Sequence, residues 1–522
     1  NKTLCPETMQ PYSAFTEFAN WLIERAANVS TEPLETQLDA FVAKMHDYFF
    51  GPDKMREQPD SYLTALDSLR TLRDKIRDHY ETTTPRLEQL IEFIDLHRTM
   101  NARITTTRPS ADTATGAINL MSAHKAKGLE FPHVFVIGAI DSAWGERVRS
   151  RSRLIRYPVN LPLEPAGATY DERLRLFFVA MTRAKTTLHI SYARTDEKGK
   201  ETLIASFLSA ATPDVMPPVD LAEQTAIAET DWRAPLTAPI TDDLRTLLAP
   251  TLERYKLSAT HLNNFLDTSN GGPQTFLLNN LLRFPQAKSA SATYGTAIHA
   301  ALQFAHNSVR VDGALPDREK IFAEFDMALR KGQLSAAEYA EFAERGRAAL
   351  GAFLDEKASS FTRTQLTELN FAGQGVVIDD AQLTGALDLV DPDAPATTIF
   401  VTDYKTGKSA ATWRGNGEYE KIKLYKYRQQ LMFYQLLVEN SRDYAGYAFT
   451  GGRLQFVEPS QRTGEILALE DTLTDEELAE FRQLIGIVWR KITALELPDI
   501  SAYEPTLKGI LAFERDLLGG EI

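Results

Sequence analysis

The sequence predicts an α/β protein of several domains, and three observations carry that reading. Apolar residues recur at helical spacing from residue 8 to about 100, short apolar runs alternate with a helix-like segment between 117 and 210, and strand-like runs cluster between Thr364 and Lys405 among further helical stretches. At 522 residues, 43% hydrophobic and 25% charged, the chain has material for two to four domains, each with its own core.

Taken in order, Leu34, Leu38, Phe41, Met45 and Tyr48, then Leu69, Leu72, Ile76 and Tyr80, repeat at helical spacing, so residues 1–116 are expected to be a helical segment. Within 117–210, the runs Ile118 to Met121, Val134 to Ile137 and Thr187 to Ser191 read as strands, with a helix from Asp171 to Thr182. Residues 211–254 are rich in Pro, Ala, Thr and Asp with little periodicity, and read as a linker. In 255–522, helices are expected at Ser258 to Asp267, Thr293 to His306, Ser335 to Phe353, Lys423 to Asn440 and Asp475 to Leu495. With three or four strands between Thr364 and Lys405, they make a small mixed sheet flanked by helices.

Composition narrows the function classes. Cys5 is the only cysteine, so a disulfide, a multi-cysteine zinc site and an iron-sulfur cluster are all excluded within this chain, and a reducing cytoplasm is the natural setting. The apolar runs fall far short of the roughly 20 residues needed to cross a bilayer, so no membrane association is expected. The start, Asn1-Lys2-Thr3, has neither a methionine nor a signal pattern, which suggests a fragment of a longer protein. A net charge of −14 argues against coating nucleic acid through overall basicity and leaves room for a local basic groove. Arg147, Arg149, Arg151, Arg153 and Arg156 form one basic run, either a solvated loop or a DNA contact.

The chemistry-bearing residues concentrate in the C-terminal half. In Thr398-Ile-Phe-Val-Thr-Asp403-Tyr404-Lys405 side chains two apart share a strand face, so Asp403 and Lys405 point together while Tyr404 points away. Fifteen residues before Asp403, Asp388 lies on a strand-like run, and the short connection between the two suits antiparallel neighbours. Two carboxylates meeting this way offer oxygen ligands suited to magnesium or manganese, which lower the pKa of bound water, and the lysine can steady phosphate charge. By itself an Asp-x-Lys beside another Asp is more often a surface ion pair. The set is larger, however: His299 lies on a helix after Gly295, Glu368 on a strand twenty residues before Asp388, and Gln430 and Tyr434 share a helix face.

With the opening segment Leu257-Ser258-Ala-Thr-His-Leu-Asn-Asn-Phe, this ordered set resembles the RecB/AddA-type nuclease domain of the PD-(D/E)XK superfamily from about residue 255 to 505. The resemblance implies that His299, Asp388, Asp403 and the carbonyl of Tyr404 hold Mg2+ or Mn2+ and that Lys405 is the catalytic lysine. It also implies that Gln430 and Tyr434 touch the DNA backbone or brace the site, and that Glu368 is either catalytic or structural. Some relatives carry a cluster-binding cysteine where this chain has Asp267 to Gln274, so no iron-sulfur cluster is expected.

Upstream, Asn119 to Val136, containing His124-Lys-Ala-Lys127-Gly128-Leu-Glu130-Phe131, resembles motif V of UvrD/RecB-type superfamily-one helicases, and Asp171 to Lys185, ending Thr182-Arg183-Ala184-Lys185, resembles their motif VI. Residues 117–210 are then the C-terminal part of a RecA-like domain with a parallel sheet, and 1–116 resembles the tail of the insertion that interrupts it. The resemblance implies that Glu130 meets the nucleotide ribose, that Arg183 stabilises charge on the γ-phosphate of ATP, and that His124, Lys127 and Thr182 lie near DNA. No phosphate-cradling loop or magnesium-binding acid of a motor is found; Lys405-Thr-Gly-Lys-Ser409 lacks the leading glycine, Thr402 standing in its place. The chain alone is therefore expected not to hydrolyse ATP.

The expected whole is a bacterial-type, nucleoid-associated 3′-to-5′ DNA helicase with a metal-dependent nuclease of exodeoxyribonuclease type, acting on single- and double-stranded DNA ends in break repair and recombination. Its expected partners are the missing N-terminal motor domains and a second helicase-nuclease subunit. The alternative is a catalytically silent module that binds DNA or a partner within a helicase complex.

Overall fold

The computed structural model describes residues 9–100 apart from 82, then 102, 104, 118–145, 170–208 apart from 197 and 198, and 244–522 apart from 472. The arginine run 147–156 and most of the expected linker lie outside these residues. The chain divides into two compact units, one made of residues 1–108 with 239–522 and the other of 109–238.

The larger unit opens with helices α1 (Met9–Ala27), α2 (Leu34–Lys44), α3 (Pro59–His79) and α4 (Leu87–Thr99). The apolar faces of α2, α3 and α4 meet in a small core of Leu34, Ile76, Leu90 and Phe93. Arg73 is buried nearby, and two carboxylates offset that burial, Glu35 at 2.9 Å and Asp39. This block does not stand apart from the C-terminal half: Phe50, Tyr62 and Leu66 enter that half's core, and the Thr84 hydroxyl donates to the Leu334 carbonyl at 3.0 Å.

In the smaller unit, β1 (Phe131–Val136) and β2 (Ala184–Ile190) pair in parallel, with α5 (Tyr170–Met181) leading into β2. Val136, Ala139, Phe177 and Ala180 form its core. The strand expected over Ile118 to Met121 is absent; Ile118 and Leu120 are 98% and 89% exposed, and no partner strand lies beside them among the described residues.

After the undescribed stretch comes α6 (Leu244–Glu253), where the sequence reading had linker. Pro250 and the polar residues before it hide the pattern, but Leu244, Leu248 and Leu252 follow at i, i+4 and i+8 and pack on the main core. Next follow α7 (Ala259–Leu266), whose Ser258 hydroxyl accepts from the His261 amide, α8 (Ala290–Asp312), α9 (Arg318–Lys331) and α10 (Ala336–Lys357), the last opened by a Ser335 to Glu338 capping box.

Strands β3 (Leu366–Asn370), β6 (Ala386–Asp393), β7 (Thr398–Lys405), β8 (Ala448–Phe456) and β9 (Ala468–Asp471) form one mixed sheet in the order β3-β6-β7-β8-β9; the two-residue β4 (Val377–Ile378) and β5 (Ala381–Gln382) pair separately. Within that sheet only the β7/β8 pairing is parallel. The parallel crossover between them is α11 (Glu418–Glu439), and α12 (Asp475–Ala494) and α13 (Leu507–Gly519) complete the layer. Sequence reading missed β8 and β9. Gly451 and Gly452 break the strand pattern of Ala448–Phe456, yet a Cβ at Gly452 would lie 3.0 Å from the Leu431 side chain, so glycine is what lets α11 press onto the sheet beside the residues described next.

Candidate active site

Strands β6 and β7 run antiparallel with Leu389 opposite Thr402, and the same register brings Asp388 beside Asp403. The Tyr404 amide donates to Asp388 Oδ2 at 2.8 Å, which fixes one carboxylate onto the neighbouring strand. His299, on α8, stands over this pair, with Nδ1 3.4 Å from Asp388 Oδ1 and Nε2 donating to the Tyr404 carbonyl at 3.1 Å. Two turns further along α8, His306 sits 2.8 Å from the Tyr404 hydroxyl, so one helix holds both ends of Tyr404. Sequence reading passed over His306; its spacing of seven from His299 on one helix was the available signal.

Glu368 occupies β3 between Thr367 and Leu369, which face Leu389 and Leu387, so it lies across from Asp388. Its backbone is left-handed at φ +49°, a conformation costly for a residue with a Cβ. One ligand atom from each of His299, Glu368 and Asp388 lies within 4.8 Å of the others. Asp403 stands to one side of that trio. It is 2% exposed, accepts a hydrogen bond from Tyr434 at 2.8 Å through Oδ1, and has Oδ2 2.6 Å from the Lys405 ammonium, an ion-pair distance off the line of a hydrogen bond. Helix α11 completes the chain of contacts, with Lys405 donating to Gln430 at 2.8 Å and Gln430 to Tyr434 at 2.5 Å.

The electrostatics follow from crowding acids in a poorly solvated place. Burial pushes the Asp403 carboxyl up, Lys405 opposes this, and Asp388 adds to it. Burial and then Asp388 likewise raise Glu368, with His299 pulling the other way. For His299 burial acts downward but is outweighed by the hydrogen bond and charge of Asp388, then by Asp403 and Glu368, so the imidazole gains basicity. The Tyr434 phenol, buried beside Asp403, is held well above its ordinary value. Such a group of donors fits a divalent cation. Carboxylate oxygens, a backbone carbonyl and one imidazole converge, and a buried carboxylate oxygen of Asp403 lacks a hydrogen bond, which suits magnesium or manganese better than a soft metal. His299, Asp388, Asp403 and Lys405 line a cavity of about 370 Å3, which Ser258, Thr260 and Tyr427 also border.

In the smaller unit, the two helicase-like runs meet. The Phe131 amide donates to the Arg183 carbonyl at 2.8 Å, and the Arg183 guanidinium donates to the Val179 and Leu129 carbonyls at 2.9 and 3.0 Å. Thr182 donates to the Phe178 carbonyl, Glu130 pairs with Lys185 at 3.4 Å, and His124 and Lys127 lie exposed on a turn. These five residues therefore lie on the two runs that the β1/β2 pairing joins.

Comparison with known proteins agrees with both halves. Residues 256–502 match the PD-(D/E)XK nuclease superfamily, and residues 12–195 match the UvrD-like helicase C-terminal domain. DNA helicase II of Escherichia coli (strain K12) is 27% identical over 195 residues, covering 37% of this chain and 24% of its own. The ATP-dependent DNA helicase PcrA of Staphylococcus epidermidis is 31% identical over 140 residues, 27% of this chain and 17% of its own. An ATP-dependent helicase/nuclease subunit of Heliobacterium modesticaldum is 31% identical over 142 residues, 23% of this chain and 10% of its own. The chain thus spans about a quarter or less of the length of these relatives. It carries one region similar to the UvrD-like helicase C-terminal domain and one similar to the PD-(D/E)XK nuclease superfamily.

Proposed function

We propose that residues 255–522 form a metal-dependent nuclease that hydrolyses DNA phosphodiesters, and that ATP-driven 3′-to-5′ unwinding belongs to a longer helicase-nuclease acting in break repair and recombination. The observation that carries the nuclease reading is the convergence of His299, Glu368 and Asp388 within 4.8 Å beside the buried Asp403 and Lys405 pair. His299, Asp388, Asp403 and the Tyr404 carbonyl are the proposed holders of Mg2+ or Mn2+, with Glu368 close enough to join them. The bound ion would supply a water of lowered pKa and a counter-charge for the phosphate. The residues do the rest. Lys405 brings an ammonium to the scissile phosphate, Gln430 holds that ammonium in place, and Tyr434 keeps Asp403 oriented.

The helicase part supplies, on this proposal, Glu130 and Arg183 to an ATP site and His124, Lys127 and Thr182 to the DNA path; its partners are DNA ends and a second helicase-nuclease subunit. Among the described residues no helix is long and apolar enough to cross a membrane, which is compatible with a cytoplasmic, nucleoid-associated role.

The test is incubation of the purified chain with linear single- and double-stranded DNA under magnesium, manganese or chelator, with and without ATP. Metal-dependent, ATP-independent degradation is expected. Asp403→Ala should abolish it while DNA binding stays within about twofold, because the substitution removes a carboxylate and no backbone contact. Intact DNA under every condition, or an Asp403→Ala protein that cuts normally, overturns the assignment.

A further inference from the structure

Helix α11 carries more on the face that meets the site than Gln430 and Tyr434. Three residues before Gln430 comes Tyr427, four before that Lys423, and four before that Tyr419, so these side chains lie along one stripe. Tyr427 borders the site cavity and also a smaller one of about 90 Å3, whose walls include Lys408, Tyr419, Glu420 and Lys423. The two cavities share its ring as a common wall. Against that ring lie two ammonium groups, Lys405 Nζ 4.2 Å and Lys423 Nζ 5.5 Å from the centroid.

The two lysines of the smaller cavity differ in what holds them. Lys408 is engaged by Glu420 at 3.8 Å, whereas Lys423 has no carboxylate within 4 Å among the described residues. Burial and then the charge of Lys405 depress the Lys423 pKa; Glu420 and then Glu458 act the other way, and Lys408 adds to the depression. An anion next to Lys423 relieves both the burial and the repulsion. The chemistry that fits is a phosphate of the chain whose scissile group sits at Lys405. From Lys423 to Gln430 the helix rises about 10 Å, with Tyr427 between them. Tyr419, 81% exposed, offers a free ring where a base of that strand would stack.

We propose that Lys423 binds the phosphate neighbouring the scissile one, with Tyr427 spacing it from Lys405 and Tyr419 stacking on a base of the same strand. The inference rests on the nuclease reading above and names the track by which a single strand enters that site. It makes Lys423 a positioning residue for polymeric substrate, with no part in hydrolysis itself.

Lys423→Gln tests it on the whole chain with Mn2+, using two substrates: a short single-stranded oligonucleotide, and thymidine 5′-(4-nitrophenyl) phosphate, a diester with no neighbouring phosphate. The KM for the oligonucleotide should rise about tenfold with kcat nearly unchanged, hydrolysis of the small diester should not change, and Lys423→Arg should restore most of the loss. Oligonucleotide binding measured with Ca2+ in place of Mn2+ should show a salt dependence shallower by about 0.7 in log–log slope, the contribution of one phosphate contact on a single strand. Equal losses on both substrates, or an unchanged KM and an unchanged slope, overturn the proposal. If the unaltered chain hydrolyses neither substrate, the nuclease reading fails, and the binding slope alone then decides for or against Lys423.

Discussion

Two acid–lysine pairs, one in each unit, show how much surroundings decide. Glu130 and Lys185 lie 3.4 Å apart with about three-fifths of each side chain in solvent, while Asp403 and Lys405 lie 2.6 Å apart with 2% and 14% of theirs exposed. In water such a contact contributes at most about 1 kcal/mol, because solvent already serves both charges. In the nuclease fold neither charge has that recourse, and the polar side chains around the pair, Tyr434 and Gln430, are present because α11 packs onto the sheet. The lesson is that a sequence pair acquires chemical meaning from the layers that enclose it, and that the C-terminal domain encloses its pair with residues of its own.

That contrast can be broken at either end. The largest effect is expected for Lys405→Met, which keeps the apolar stem and removes the ammonium: DNA cleavage should fall at least a hundredfold, about 3 kcal/mol of barrier, with metal binding retained. Initial rates and manganese titration of the same variant check both parts, and cleavage within tenfold of the unaltered chain would show that the buried pair is structural. A buried acid with no ion-pair partner among the described residues sharpens the comparison. Glu514 on α13 accepts from the Tyr425 hydroxyl at 2.5 Å and the Gln429 amide at 2.8 Å, and burial lifts its pKa from 4.5 to about 7 against those two bonds. A carboxyl raised on folding holds its proton more tightly when folded. Its contribution to stability is full below pH 4.5 and falls as pH rises to about 7, by up to about 3 kcal/mol. Denaturant melts of Glu514→Gln across that window should lose this part of the slope; an unchanged slope would assign it to other groups. The smallest effect belongs to Glu130→Gln, whose exposed partner is simply rehydrated. Unfolding should shift by less than about 1 kcal/mol, and a larger shift would mean that the pair is far better shielded than its exposure indicates.

The strands and helices that declared themselves in the sequence were those whose pattern lies within one continuous segment. Thr398 to Lys405 opens with the consecutive apolar residues Ile399, Phe400 and Val401 of a strand covered on both faces, and Asp475–Ala494 begins with a Thr474 to Glu477 capping box before its apolar stripe. What stayed hidden depends on several neighbours at once. Strand β8 looks like a loop until Leu431 explains Gly452, α6 looks like a linker until the core collects Leu248, and the run at Ile118 looks like a strand although nothing described pairs with it. The site followed the same rule. Asp403, Lys405, Gln430 and Tyr434 could be picked out by spacing within one strand or one helix, while the grouping of Glu368 with His299 and Asp388, and the second hold of His306 on Tyr404, exist only across elements.

Glu368 carries a consequence for anyone who would make this domain sturdier. Its left-handed backbone stores on the order of 1–3 kcal/mol that a glycine would release. A selection for thermal resistance alone would therefore favour Glu368→Gly, and the hardier variants it enriched would have lost one of the three groups gathered around the proposed cation position. On the nuclease proposal, durability and cutting are set against each other at a single residue, so a screen that scores both is the one that would keep the glutamate.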